Sequence, residues 1–212
     1  MRYDLDYSLY LVTDRALMST KSLEEAVEQA IIGGCTMVQL REKEASSREF
    51  YDIARSIREI TGKYRVPLVI NDRLDVALAV NAEGAHIGQD DLPVFVARTL
   101  LGQGKLLGVS VGNREQALRA EAEGADYLGV GAMFATGTKT DAGLVTMEEL
   151  IRIRKAVTVP VVAIGGIDRE TAGRFAGSGI DGFAVVSGIL SQRDIRGAAA
   201  ELSALFREIR KE

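Results

Sequence analysis

Five consecutive residues, Gln39-Leu40-Arg41-Glu42-Lys43, close the apolar run Thr36-Met37-Val38 with an amide, a guanidinium, a carboxylate and an ammonium. Arginine offers a planar fork for phosphate oxygens, lysine a point charge, and glutamine a donor and an acceptor for a flat heterocycle. A solvated strand end with a Glu-Lys surface pair is the plainer reading of the same residues. Further along, Asn71-Asp72 closes the run Val66 to Ile70, and Gln89-Asp90-Asp91 follows Ala85-His86-Ile87. Asp72 and Asp91 thus end consecutive runs and can converge. Carboxylate oxygens at modest density, without thiolate or imidazole among them, suit Mg2+ completed by water and a substrate phosphate. Asp90 could replace Asp91, and both positions also suit helix N-caps.

The remaining run ends are polar or glycine. Ser110 closes Leu106 to Val109, and Gly165-Gly166 and Ser187-Gly188 end the last two runs. Backbone N-H groups at such glycines, with the Ser187 hydroxyl, would make a phosphate site; ordinary turn chemistry is the alternative. The segment Thr136-Gly137-Thr138-Lys139-Thr140-Asp141 is rich in donors and carries one cation, as a lid or a simple loop would. His86, the only histidine, lies inside a strand and reads as a core or supporting group. Cys35 reads as a small apolar core residue, and no nucleophile-base-acid set stands out.

The elements that must position these residues alternate. Short apolar strands, beginning with Leu9 to Val12, are separated by helical patterns. Ser22 and Glu25 form a capping-box signature before the first helix, and the spacing predicts a further helix from about Arg169 to Ala176. A phrase recurs at Gly33-Gly34-Cys35-Thr36, Glu83-Gly84-Ala85-His86, Glu123-Gly124-Ala125-Asp126 and Ser178-Gly179-Ile180-Asp181. It reads as a helix ending on glycine before each even-numbered strand. Continuously apolar strands between helices imply a parallel sheet. Eight strand-helix units in 212 residues fit a single-domain α/β (β/α)8 TIM barrel over 1–212. An open doubly wound sheet usually carries Gly-x-Gly-x-x-Gly after its first strand; here that turn is Thr13-Asp14-Arg15.

A net charge of -4, with no Lys/Arg block, argues against nucleic acid or an anionic membrane as a partner. A single cysteine excludes an internal disulfide and fits a cytoplasmic setting. The polar first residues do not form a signal peptide. The sum is a barrel with two anion sites. One is metal-assisted and uses Arg41, Lys43, Asp72 and Asp91; the other is built on Gly166 and Ser187. Two phosphorylated small-molecule substrates, one a diphosphate, fit that division.

The phrases Leu9 to Asp14, Gln39 to Lys43, Asn71-Asp72, His86 to Pro93, Gly108-Val109-Ser110, Thr136 to Lys139, Ile164 to Ile167 and Val186-Ser187-Gly188 together resemble the thiamine-phosphate synthase family over nearly the whole chain. The resemblance implies a transferase of thiamine biosynthesis. It would join 4-amino-2-methyl-5-hydroxymethylpyrimidine diphosphate to a hydroxyethylthiazole phosphate or its carboxylated form, with pyrophosphate leaving first. It implies that Gln39, Leu40, Arg41, Glu42, Lys43 and Asn71 hold the pyrimidine diphosphate, helped by Ser110 and Lys139. Lys43, Lys139 and Ser110 would be catalytic. Asp72 and Asp91 would bind Mg2+, with Asp91 rather than Asp90 matching the family's Gly-Gln-x-Asp phrase. Thr136, Gly137, Thr138, Gly166, Val186 and Ser187 would hold the thiazole phosphate. The related thiazole tautomerases place a histidine just after the serine of strand five. Here Val111-Gly112 follows Ser110, which favours the synthase over an isomerase.

Overall fold

The computed structural model describes residues 5–135 and 143–211. Eight parallel strands close into a barrel in chain order. They are β1 (Leu9–Val12), β2 (Met37–Leu40), β3 (Leu68–Asn71), β4 (Gly84–Ile87), β5 (Leu106–Val111), β6 (Tyr127–Val130), β7 (Val161–Ile164) and β8 (Gly182–Val185). The barrel is sealed where Leu9, Tyr10 and Leu11 pair with Phe183, Ala184 and Val185. Helices α1 (Leu23–Ile32), α2 (Ser47–Tyr64), α3 (Leu74–Ala79), α4 (Val94–Leu101), α5 (Arg114–Ala122), α6 (Met147–Ala156), α7 (Ser187–Leu190) and α8 (Ile195–Ile209) follow the strands. The expected (β/α)8 architecture is present. Ser22 accepts from the Glu25 N-H at 3.2 Å, as the capping signature requires.

The strands read as continuous apolar runs because both faces are covered, yet they still alternate. Leu9, Leu11, Val38, Leu40 and Ile70 pack outward under the helices. Tyr10, Val12, Met37, Val69, Leu106, Tyr127, Val162 and Ala184 fill the lumen. Period-two geometry puts Gln39 on the lumen side with Met37.

The recurring glycine phrase works differently from expectation at one of its four places. Gly34, Gly124 and Gly179 take φ of 110°, 104° and 75°, the left-handed region that glycine enters without steric cost. Gly84 instead lies inside β4, and the left-handed residue after α3 is Asn81 at φ 52°. Gly84 is needed for another reason: a Cβ there would overlap the Leu106 carbonyl of β5.

The residue just before each even-numbered strand sends its side chain to the preceding strand. Glu83 accepts from the Leu68 N-H at 2.9 Å, and Asp126 and Asp181 accept from Leu107 and Val161 at 2.8 Å each. The Thr36 Oγ1 accepts from Leu9 at 3.2 Å. The three carboxylates each meet an arginine of an even-numbered helix: Arg58, Arg98 and Arg154. This period closes the amino-terminal mouth of the barrel and neutralises its charge.

The predicted helix over Arg169 to Ala176 is not formed. A single 3-10 turn, Ala172–Phe175, stands there. Asp168 accepts from the N-H groups of Glu170 and Thr171 at 2.9 and 3.0 Å, and the Thr171 hydroxyl donates to Gly166 O at 3.0 Å. These local bonds compete with a helical ladder, and Gly173 and Gly177 shorten it further.

Arg98 is 7% exposed. It donates to the carbonyls of Gly102, Lys105 and Gly124 at 2.8 to 3.0 Å and pairs with Asp126. Arg98→Ala leaves those carbonyls unmet at the α4 and α5 ends. The expected loss is about 3 kcal/mol, read by urea unfolding as a lower midpoint at unchanged slope.

Candidate active site

The carboxyl-terminal mouth opens into a cleft of about 910 Å3, counted out to solvent. Gln39, Arg41, Asn71, Ser110, Gly166, Val186 and Ser187, far apart in sequence, all line it. His86, Thr13 and Gly131 line it as well.

The charged rim follows from the first three loops. Lys43 Nζ lies 2.5 Å from Asp72 Oδ2. Arg41 Nη1 lies 3.6 Å from Asp14 Oδ2, and the buried Thr13 hydroxyl accepts from the Arg41 N-H at 3.0 Å. Thr13-Asp14 thus steers Arg41. Neither Asp72 nor Asp91 caps the helix after it. The N-cap positions of α3 and α4 are Arg73 and Pro93, without side-chain cap bonds. Asp72 takes φ 61°, a left-handed conformation seldom used outside glycine and unlike an extended N-cap. Asp91 accepts from the Gly88 N-H of its own loop at 2.7 Å.

The two carboxylates stand together. The Asp91 carboxyl is raised from its ordinary value, first by loss of hydration and then by a side-chain contact with Asp72 and the charge of Asp72, with the Gly88 N-H and, less, Lys43 opposing. Two adjacent carboxylates with no thiolate or imidazole between them are a donor set that fits a hard dication sharing its shell with water and phosphate. Among the described residues no cluster of three or more Asp, Glu, His or Cys suited to a metal ion is found, here or elsewhere, so the rim offers two carboxylates and no third.

Other expected residues stand apart. The Leu40 side chain points outward into the barrel-helix core at 0% exposure. Glu42 does not line the cleft: its Oε2 pairs with Arg15 Nε at 2.8 Å, and Arg15 also meets Glu49 at 3.0 Å. Burial raises the Glu42 carboxyl, and Arg15 opposes that shift. Thr136, Gly137, Thr138 and Lys139 lie outside the described residues.

The glycines after β7 owe their presence to loop packing. Gly165 and Gly166 take φ of 98° and 67°. A Cβ on Gly166 would come within 2.7 Å of Phe134 Cβ, and one on Gly165 within 2.7 Å of Ala132. The loops after β6 and β7 therefore touch, which brings the Gly166 main chain to the cleft.

Residues that escaped the sequence reading lie beneath. Tyr10 and Tyr127 are fully buried in the lumen, their hydroxyls 2.8 Å apart. Gln39 Nε2 donates to Tyr10 at 2.8 Å. His86 joins Tyr127 to Ser110, at 3.0 and 2.9 Å. Strand parity was the available signal, since Tyr10 alternates with outward Leu9 and Leu11.

Residues 9–189 match the family model described as thiamine monophosphate synthase. The chain belongs to the thiamine monophosphate synthase family. Its function is that of a thiamine-phosphate synthase, a transferase. A thiamine-phosphate synthase of Ruminiclostridium cellulolyticum is 58% identical over 206 residues, covering 97% of this chain and 98% of that one. One from Clostridium botulinum is 57% identical, covering 97% of each. The solved thiamine phosphate pyrophosphorylase of Pyrococcus furiosus superposes with a TM-score of 0.89 at 41% identity, covering 96% of this chain and 97% of the other.

The raised Asp91 carboxyl makes a synthase of this shape less stable than it could be. A carboxyl whose folded pKa exceeds its unfolded value of 3.8 costs stability once pH rises through both values. Asp91→Asn is therefore expected to melt higher than the parent in metal-free neutral buffer. The difference should vanish as pH falls below the unfolded carboxyl pKa, checked by calorimetry across pH.

Proposed function

We propose that this transferase joins 4-amino-2-methyl-5-hydroxymethylpyrimidine diphosphate to a hydroxyethylthiazole phosphate, releasing pyrophosphate and thiamine phosphate. The observation that carries the site assignment is the meeting of Lys43, Asp72 and Asp91 at one rim, above the cleft lined by Gln39, Asn71 and Ser110. Arg41, Lys43 and Asn71 hold the diphosphate. Gln39 and Ser110 face the pyrimidine. Gly166, Val186 and Ser187 receive the thiazole phosphate on the opposite side of the same cleft. By resemblance alone, Thr136, Gly137 and Thr138 belong with the thiazole phosphate, and Lys139 with the departing diphosphate.

Asp72 and Asp91 would hold Mg2+, which when bound supplies charge neutralisation to a departing diphosphate. Lys43 contributes in the same sense from the chain. Its ammonium is already oriented by Asp72, so little reorganisation accompanies charge build-up on the leaving oxygen. Arg41, steadied by Thr13 and Asp14, adds a second cation. No side chain need attack carbon. The chain's task is to bind both rings stacked in one cleft and to keep water from the carbon that loses its leaving group. The aminopyrimidine ring stabilises that carbon by electron donation. Leu40 and Glu42 serve through the main chain and through the Arg15 pair, which fixes the loop after β2.

We place the enzyme in the cytoplasm as a single-domain unit. Cys35 is buried and the single cysteine of the sequence, so no internal disulfide can form, in keeping with a reducing compartment. Among the described residues no helix is long and apolar enough to cross a membrane.

Lys43→Ala, with the fold retained by circular dichroism, is expected to lower kcat by about 10²–10³-fold. The measurement is pyrophosphate release from the diphosphate, with and without the thiazole phosphate and with and without magnesium. No pyrophosphate release under any of these conditions, together with isomerisation of the phosphorylated thiazole at a rate unchanged by EDTA, would favour the isomerase alternative on the same barrel.

A further inference from the structure

The lumen contains an unbroken line of hydrogen bonds, Gln39–Tyr10–Tyr127–His86–Ser110, with spacings of 2.8, 2.8, 3.0 and 2.9 Å. Its middle is sealed: Tyr10 and Tyr127 are 1% and 0% exposed. Its two ends, Gln39 and Ser110, line the cleft. Glycine makes the room. A Cβ on Gly108 would overlap the Tyr127 ring and His86 Nδ1, and one on Gly129 would stand 3.2 Å from His86 Cε1.

Proton counting restricts how such a line can be filled. Burial raises both phenols far above their ordinary pKa, so each keeps one proton. Gln39 Nε2 donates to Tyr10. The Tyr10 proton then goes to Tyr127, and the Tyr127 proton to His86 Nδ1. A neutral His86 then carries its own proton on Nε2 and gives it to Ser110 Oγ. The serine proton is left to point into the cleft. Among these five side chains, with a neutral ring, the full reversal is the other order that satisfies every buried proton: the amide turned over, His86 protonated on Nδ1, and Ser110 donating inward. Mixed orders strand a phenol proton or set two protons face to face, at the cost of an unmade buried hydrogen bond.

We propose that Tyr10, Tyr127 and His86 are positioning residues that hold this line in the first order. The cleft then meets an acceptor, Gln39 Oε1, at one end and a hydroxyl donor, Ser110, at the other. That pair suits a ring with an exocyclic amino group and an acceptor elsewhere on its edge, and it opposes a ring with an oxo group in the amino position. Accepting the oxo ring requires the whole line to reverse, including a change of tautomer at His86. Neither phenol touches substrate; both act through the groups at the line's ends. The specificity part of this inference rests on the pyrimidine reading above, and the proton order does not.

His86 is the only histidine in the chain, so long-range proton–nitrogen NMR on 15N-histidine-labelled, ligand-free protein reads one ring without ambiguity. The expected spectrum is a neutral ring protonated on Nε2 at neutral pH. A ring protonated on Nδ1, an imidazolium, or an average of two tautomers would overturn the proposed order. Tyr127→Phe and Tyr10→Phe are then compared for the aminopyrimidine diphosphate and its 4-oxo analogue. The amino-over-oxo ratio of kcat/KM is expected to fall by about 10-fold or more in each, with the Nε2 signature weakened in Tyr127→Phe. Equal slowing on both rings, the mark of lost packing alone, would overturn the specificity role. A parent chain that turns over neither ring would overturn it too, through failure of the pyrimidine reading, and the ligand-free NMR result distinguishes that failure from failure of the proton order.

Discussion

A small closed barrel has no room for water in its middle, so every polar group placed on the inward parity of a strand must find a partner there. That constraint governs the structure from the lumen outward. Gln39, Tyr10, Tyr127, His86 and Ser110 belong to five different strands, yet they satisfy one another in sequence. The volume for the two phenols comes from residues with little or no side chain: Gly108, Gly129 and Ala184 face the same space. Aromatic bulk on some strands and its absence on neighbouring ones is how the lumen stays dense. The same choice carries polarity up to the cleft floor.

The two mouths of the barrel handle charge in opposite ways. At the amino-terminal mouth, Glu83, Asp126 and Asp181 each meet an arginine and a backbone N-H. Charges there are matched and the structure is closed. At the carboxyl-terminal mouth, the Asp72 and Asp91 carboxylates are brought together with one lysine at hand, and burial together with Asp72 raises the Asp91 carboxyl above its ordinary value. A fold that neutralises one rim so thoroughly has the means to neutralise the other. The pair of carboxylates left side by side there is what the proposed cation site rests on.

The barrel was legible because its signal is redundant. Eight repeats of apolar run and helix, capping at Ser22, and polar residues at the run ends all pointed one way, and each of those features is local. The failures also have local causes. The segment after β7 has helical spacing, but Asp168 and Thr171 capture its backbone and two glycines loosen it. Gly84 matched a helix-ending phrase, yet close strand packing is what demands it. The placement of Gln39, Arg41, Asn71, Ser110 and Ser187 along one cleft was legible because strand ends in a barrel share one face. Arg15 was not, since its role depends on the burial of Glu42, a matter of three-dimensional crowding. Tyr10 and Tyr127 were hidden by their type: tyrosine in an apolar strand reads as core, and only contact shows where its hydroxyl goes.

Those hydroxyls tie the buried half of the structure to the chemical half. A cleft floor made only of aliphatic side chains would offer the two rings surface but no direction. A floor made of exposed polar side chains would offer direction but let each group rotate to suit whatever arrived. Here Gln39 and Ser110 are the visible ends of a set whose middle members are locked by packing, so turning one end obliges the others to turn. Preorganisation of this kind needs no metal and no moving loop. It places the demand on shape and hydrogen-bond sense in the lumen, and leaves the rim of Lys43, Asp72 and Asp91 to deal with charge alone.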